Sequence, residues 1–310
     1  MSPLPAHLLV FHHSVFFRLF GGRFPGESTP NKNPQLRGSE IPNQLSNNEE
    51  HHRLDTDTLV AGALRCLSSS SPPTPKHTEK TSSKMSLTAR ATWLAAGAII
   101  NGVVPPDNTP DPSKVFRLNA LLEWEVARDP LHQDIDLGKP CGVGPGMSFA
   151  NTVKERLGVI GLVPCAIGGT SISKWEKGGI LYENMIKRAK AAVEVGGGGE
   201  IKALLWYQGE SDTYDLKEAL MYKERLERLI DNVRADLNIP SLPILEVIIE
   251  SSDGPLKDVI IKQQKALKMP NVVQVDSDGL ELNKDKIHLN TDAEVKMGKL
   301  LADAYLNNFA

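Results

Sequence analysis

The chain has little cysteine: Cys66, Cys141 and Cys165 are its only three in 310 residues, and no two form a C-x-x-C pair. That scarcity excludes a small disulfide-stapled fold and a cysteine-built zinc site. Charge of one sign is also missing. With 35 basic and 38 acidic residues the net charge is −3, which supplies no global pull toward nucleic acid or an anionic membrane surface. No uninterrupted apolar run reaches about 18 residues, so no membrane-spanning helix is expected. Histidines are poorly placed for metal: His7, His12, His13, His51, His52 and His77 lie near the N-terminus, with no acidic or cysteine partner at ligand spacing. No metal and no organic cofactor is expected. What remains, 40% apolar and 24% charged residues, is the composition of an ordinary globular chain.

The chain is not uniform. Residues 25–58 are rich in Asn, Pro, Gln, Glu and His without apolar periodicity, and 66–84 read CLSSSSPPTPKHTEKTSSK. Such a stretch buries too little apolar surface to offset the entropy of ordering it. Residues 1–88 are therefore expected to be a disordered or spurious extension, and 89–310 the folded domain. The apolar start LLVFHHSVFFRLF, with Arg18 and Arg23, reads either as a short amphipathic targeting helix or as an unstructured tail. Its basic residues follow the apolar run, which argues against a secretory signal. The compartment stays open, with the cytoplasm favoured.

From about Ser113 apolar runs alternate with helical patterns. Strands are expected at 114–118, 159–166, 201–207, 244–250 and 271–275. Helices are expected over the second half of GVGPGMSFANTVKERLG, over 181–195, after 212 with apolar positions from Leu216 and Leu220 to Leu237, over 256–267, and from about 292. Thr291 and Glu294 have the spacing of a capping box for the last helix. Strands apolar on both faces alternating with helices predict an α/β fold, a three-layer doubly wound parallel sheet.

Ligands of such sheets bind beyond the carboxyl ends of the strands. Gly168-Gly169-Thr170-Ser171 follows one strand, Gln208-Gly209-Glu210-Ser211-Asp212 another, and Asp285-Lys286-Ile287-His288 comes after the last. A carboxylate three residues before a histidine can accept the imidazole Nδ1–H and leave Nε2 as a base. The two glycines permit a tight turn, or an exposed backbone N–H for an oxyanion. Gln208 reads as a surface amide or as a second donor, and Glu210 and Asp212 as an acid/base pair or as caps of the next helix.

Taken together, PCAIGGTSISKW, LLWYQGESDT and DKIHLN, in this order, resemble the SGNH hydrolase superfamily, with GVVPPD, LEWEVARDPLH and GVGPGMSFAN similar to plant members of its carbohydrate-esterase branch, the sialate O-acetylesterase-like group. The resemblance spans roughly 102–310. It implies a flavodoxin-like fold and a serine hydrolase that removes acetyl groups from sugars, without a cofactor. His288 is then the base and Asp285 its orienting acid. Gly169 or Gly168, with Gln208, supplies the oxyanion donors, while Ser171, Glu210, Ser211 and Asp212 are expected to line the acetylated-carbohydrate site. One departure is large. The family opens with a strand and the turn Gly-Gln-Ser-Asn-Met-Ala-Gly-Arg-Gly, whereas here Gly97 is followed by Ala98, Ile99 and Ile100 and then GVVPPD. The nucleophile turn is missing, as a skipped exon or faulty gene model would leave it. Three functional expectations stay open: an impaired esterase, a non-catalytic sugar-binding homologue, and the product of a truncated gene.

Overall fold

A computed structural model describes residues 7–9, 14–18, 104–137, 142–195 and 199–310. The expected strand and turn at 92–103, the low-complexity stretch 25–84, Cys66 and Cys141 lie outside the described residues. In chain order the elements are β1 (His7–Leu9), β2 (Ser14–Arg18), β3 (Val115–Leu118), β4 (Trp124–Val126), α1 (Pro145–Leu157), β5 (Ile160–Val163) and α2 (Ile180–Val195). Then come β6 (Glu200–Trp206), α3 (Leu216–Asp236), β7 (Ile244–Ile248), α4 (Lys257–Lys265), β8 (Val272–Asp276) and α5 (Thr291–Phe309).

The strands form one sheet in the order β4-β3-β5-β1-β6-β7-β8. β3 with β5, β6 with β7 and β7 with β8 pair in parallel, Ile244 standing opposite both Leu204 and Val272. β5 and β6 follow one another in sequence but are not neighbours, so the chain reverses its direction of growth across the slot between them. That reversal is where an α/β sheet opens a crevice for ligand. Buried Val, Ile and Leu of β3, β5, β6 and β7 form the centre of the core. Trp175 and Trp206 meet edge to face, centroids 5.8 Å apart, a geometry adding about 0.5–1.5 kcal/mol beyond area burial.

Several expectations are corrected. The sheet is mixed, because β4 returns antiparallel on β3 at the edge, and one flanking strand suffices there. Two short segments, 7–9 and 14–18, add backbone to the sheet. β1 registers in parallel on β5 and β6, and β2 antiparallel on the same two strands. The edges of β5 and β6 each require a partner, and a β-branched and aromatic segment supplies one. In α3 the buried stripe runs through Ala219, Tyr222, Leu226, Leu229, Ile230 and Val233, while Leu216 and Leu220 face solvent. The cap of α5 is Asn290, whose side chain accepts the Ala293 N–H, and not Thr291. Asn290 wins because its side-chain oxygen stands 2.9 Å from the Ala293 amide, while Glu294 is buried.

Candidate functional site

His288 sits on the connection between β8 and α5. A bridge between Leu282 and Leu289 closes this loop, with Asn283 N–H donating to the His288 carbonyl and the Asn283 side chain to that of Leu289. Within it Asp285 Oδ1 accepts the backbone N–H of Ile287 and of His288, at 2.9 and 3.1 Å. That leaves Asp285 Oδ2 for the imidazole, 2.7 Å from His288 Nδ1. Lys286 takes a positive φ of 59°, the conformation that turns both amides inward. Burial acts to raise the Asp285 carboxyl, but the imidazole and the two amides outweigh it and hold it below the usual carboxylate range. His288 is 8% exposed, and its Nε2 is buried with no hydrogen-bond partner. A nitrogen so placed can take a proton from a hydroxyl brought to it.

The glycine loop follows β5. Gly168 donates its N–H to Asp136 Oδ2 at 2.8 Å, so this amide is already engaged. Gly169, exposed and at φ 66°, is the member of the pair free to turn its N–H outward. Asp136 was not legible in the sequence: it lies 32 residues before Gly168, on a loop held by Arg117, which donates to the Leu131 carbonyl and pairs with Asp134. Arg188 fastens the other side by donating to the carbonyls of Leu118, Asn119 and Pro164.

Gln208 ends β6. Its backbone carbonyl accepts from Tyr222 Oη and Gln264 Nε2, and Trp206 Nε1 donates to the same tyrosine. Its side-chain Nε2 donates to the Thr170 carbonyl at 3.1 Å and to Asp212 Oδ2 at 2.5 Å. Both neighbours are acceptors, so the orientation of the amide is determined. Its Oε1 is the unpartnered atom. The expected oxyanion donor therefore shows an oxygen rather than a free N–H, and donating to an acyl group requires releasing one of these bonds.

The four expected sugar contacts divide. Asp212 is fully buried, accepting the Ile172 N–H as well as Gln208, and it braces the two loops instead of facing a ligand. Burial lifts its carboxyl to about 7 against the pull of those donors. Ser171 shares a hydrogen bond with Ser173, and both engage Glu218 of α3. Glu210 accepts from Ser251 at 3.2 Å and is pushed up to about 7, chiefly by burial. Ser211 is half-buried. Ser148, another hydroxyl near a helix start, is buried where α1 meets Gly298 and donates to the Pro145 carbonyl. His132 is held neutral on the loop after β4, its imidazole lowered to about 3 by burial and by the Arg188 and Arg117 guanidiniums. Among the described residues, no group of three or more His, Cys, Asp and Glu is placed to hold a metal ion, and no helix is long and apolar enough to cross a membrane.

An α/β sheet carrying a histidine–carboxylate pair and a glycine loop beyond its strand ends is a hydrolase architecture, and sequence comparison identifies the branch. The model of the family "Carbohydrate esterase, sialic acid-specific acetylesterase" matches residues 83–307, and the chain belongs to that family. Over 211 residues, 67% of this chain and 80% of the relative, it is 54% identical to a protein of Arabidopsis thaliana named "Probable carbohydrate esterase". The X-ray structure of that Arabidopsis protein is similar at a TM-score of 0.65 and 53% identity, covering 68% of this chain and 87% of that one. The crystal structure of NanS, 14% identical, shares the fold at a TM-score of 0.54 over 70% of this chain and 92% of that chain.

Proposed function

We propose that this chain carries the base half of a serine acetylesterase site for O-acetylated sugars and, as it stands, turns such esters over poorly. The observation that carries this is the His288–Asp285 pair at 2.7 Å with a buried, unpartnered Nε2. Asp285 holds the tautomer with the proton on Nδ1, and Nε2 is left to accept a hydroxyl proton. Gly169 offers its N–H to the developing oxyanion, and Gln208 joins it once its amide leaves Thr170. Ser211 and Glu210 flank the approach of the sugar. Ser148, Ser171 and Ser173 are each committed to other partners, and none is bonded to His288. Water in place of a fixed hydroxyl forgoes both the covalent intermediate and the orientation that lowers the barrier.

The same reading takes the fold as three-layer and flavodoxin-like, supported by α1 packing with α5 and α3 with α4 as separate pairs. The test is hydrolysis of p-nitrophenyl acetate by the chain as it is and by a version with Gly-Gln-Ser-Asn-Met-Ala-Gly-Arg-Gly restored after Gly97. The present chain should remain near background, and the restored one should exceed it by several orders of magnitude, since losing a catalytic serine costs about 10⁶ in kcat in a serine protease. Brisk turnover by the unmodified chain, abolished by Ser211→Ala, overturns the proposal. Binding of acetylated xylo-oligosaccharides with no turnover in either version favours a sugar-binding protein instead.

A further inference from the structure

Tyr214 is the only aromatic among the large apolar side chains exposed in the described residues, at 56%. Aromatic rings ordinarily go to the core, where they bury the most area. This one is held in the open. It closes the 3-10 helix Glu210–Tyr214 that follows β6, and its hydroxyl donates to Asp253 Oδ1 on the loop after β7. The two segments are laced together by a ladder of hydrogen bonds that starts two residues after Gln208. Glu210 accepts from Ser251 at 3.2 Å, and Thr213 Oγ1 shares a hydrogen bond with Ser252 Oγ at 2.8 Å. The Thr213 carbonyl accepts the Leu256 N–H, and the Tyr214–Asp253 pair comes last, at the surface. A Cβ at residue 254 would overlap Thr213 Oγ1, so only a glycine lets the segments approach this closely.

The tie at the hydroxyl removes rotamer freedom before any ligand arrives, which lowers the cost of binding. Asp253 Oδ2 makes no hydrogen bond among the described residues and is left to accept one. An open ring body beside a free carboxylate oxygen matches a pyranose. The C–H face of the sugar covers the aromatic surface, and its hydroxyls donate to the carboxylate. Charge selects which pyranose. Residues 210–215 and 250–257 carry five carboxylates and one ammonium, Lys257, which Glu250 already engages at 3.1 Å. An acidic sugar meets like charge there, and a neutral one does not.

We propose that Tyr214 and Asp253 form a platform for a neutral pyranose ring adjoining the acetylated unit, which makes Tyr214 a specificity-determining residue. The position of the acetylated unit, beside Gln208 and Glu210, rests on the esterase reading above. Affinity of the platform for a neutral oligosaccharide does not.

The experiment titrates the chain as it exists with acetylated xylohexaose, and with acetylated hexagalacturonate as the anionic counterpart, by isothermal calorimetry, with circular dichroism to verify folding. Saturable binding of the neutral oligosaccharide is expected. Tyr214→Ala or, should that variant not fold, Tyr214→Gln should weaken it about tenfold or more, and Tyr214→Phe, which keeps the ring, about threefold or less. In the version with the serine turn restored, Tyr214→Ala should lower kcat/KM for acetylated xylohexaose about tenfold more than for p-nitrophenyl acetate, which carries no sugar, the difference lying in KM. Equal losses on the two substrates, tighter binding of the galacturonate, binding indifferent to the loss of the ring, or no binding to the folded chain overturns the platform. Tyr214-dependent binding without turnover in the restored version leaves the platform standing and counts against the esterase reading.

Discussion

The hydrogen bonds that orient His288 come from Asp285 and Asn283, within a few residues of it, whereas those that orient Gly168 and Gln208 come from Asp136, Thr170 and Asp212, the first of them 32 residues away. The base side is a local device that forms wherever its loop is closed. The donor side depends on ties from farther away: Arg117 of β3 holds the loop after β4, and Arg188 of α2 holds the ends of β3 and β5. The lesson is one of dependence: a change far in sequence leaves the base intact and disarms the donors.

The largest expected effect isolates the base side. In the version with the serine turn restored, His288→Ala should lower kcat by about 10⁴–10⁶, while in the present chain it should change little. Steady-state kinetics on p-nitrophenyl acetate reads both, and a comparable loss in the present chain would mean that a hydroxyl already serves His288.

The donor side is addressed through its remote support. Asp136→Ala in the restored chain should lower kcat about 10–10²-fold with KM little changed, because Gly168 loses the acceptor that fixes the loop. Asp136→Asn should recover most of this, since an amide oxygen still accepts the N–H. Equal losses for the two variants would show that the carboxylate acts by charge and not by holding the loop.

A smaller effect tests how local the base side is. Lys286 has φ 59°, so Lys286→Val should cost about 1–3 kcal/mol in urea unfolding, and Lys286→Gly should cost nothing or stabilise. If valine is accepted without loss, the turn is imposed by its surroundings rather than by its own backbone.

The smallest expected effect separates the two sides by pH. Asp212 is raised to about 7 from 3.8, so the stability it contributes is fully present below about 3.8 and is lost as pH rises through about 7. Asp285 has the opposite sign: its lowered carboxyl contributes above 3.8 and loses that contribution as pH falls. Asp212→Asn should therefore gain about 2–4 °C in Tm relative to the parent chain on going from pH 6 to pH 7. Parallel Tm–pH curves for the two proteins would place Asp212 outside this linkage.

Several features were legible from one sequence because their cause is local. The parallel strands were visible as apolar runs, the end of α1 at Gly158, whose φ is 85°, as a glycine after a helical pattern, and the base pair as a spacing of three. β4 was not legible, since three residues carry no periodicity and its strand character comes from pairing with β3. Asn290, and not Thr291, caps α5 because its side-chain oxygen meets the Ala293 amide, while Glu294 is buried.

By itself, then, the amino-acid sequence determined that strands and helices alternate, which residues fall beyond the strand ends, that Asp285 and His288 meet, and that no serine turn follows Gly97. Only the tertiary structure decided that Gly168 is engaged by Asp136 while Gly169 is exposed, that Gln208 leaves its buried oxygen and not its N–H groups unpartnered, and that Asp212 is a brace. The physical reason is the same in each case. A hydrogen-bonding group has more than one chemically equivalent use, and which one it adopts is set by the acceptors that folding brings beside it from elsewhere in the chain.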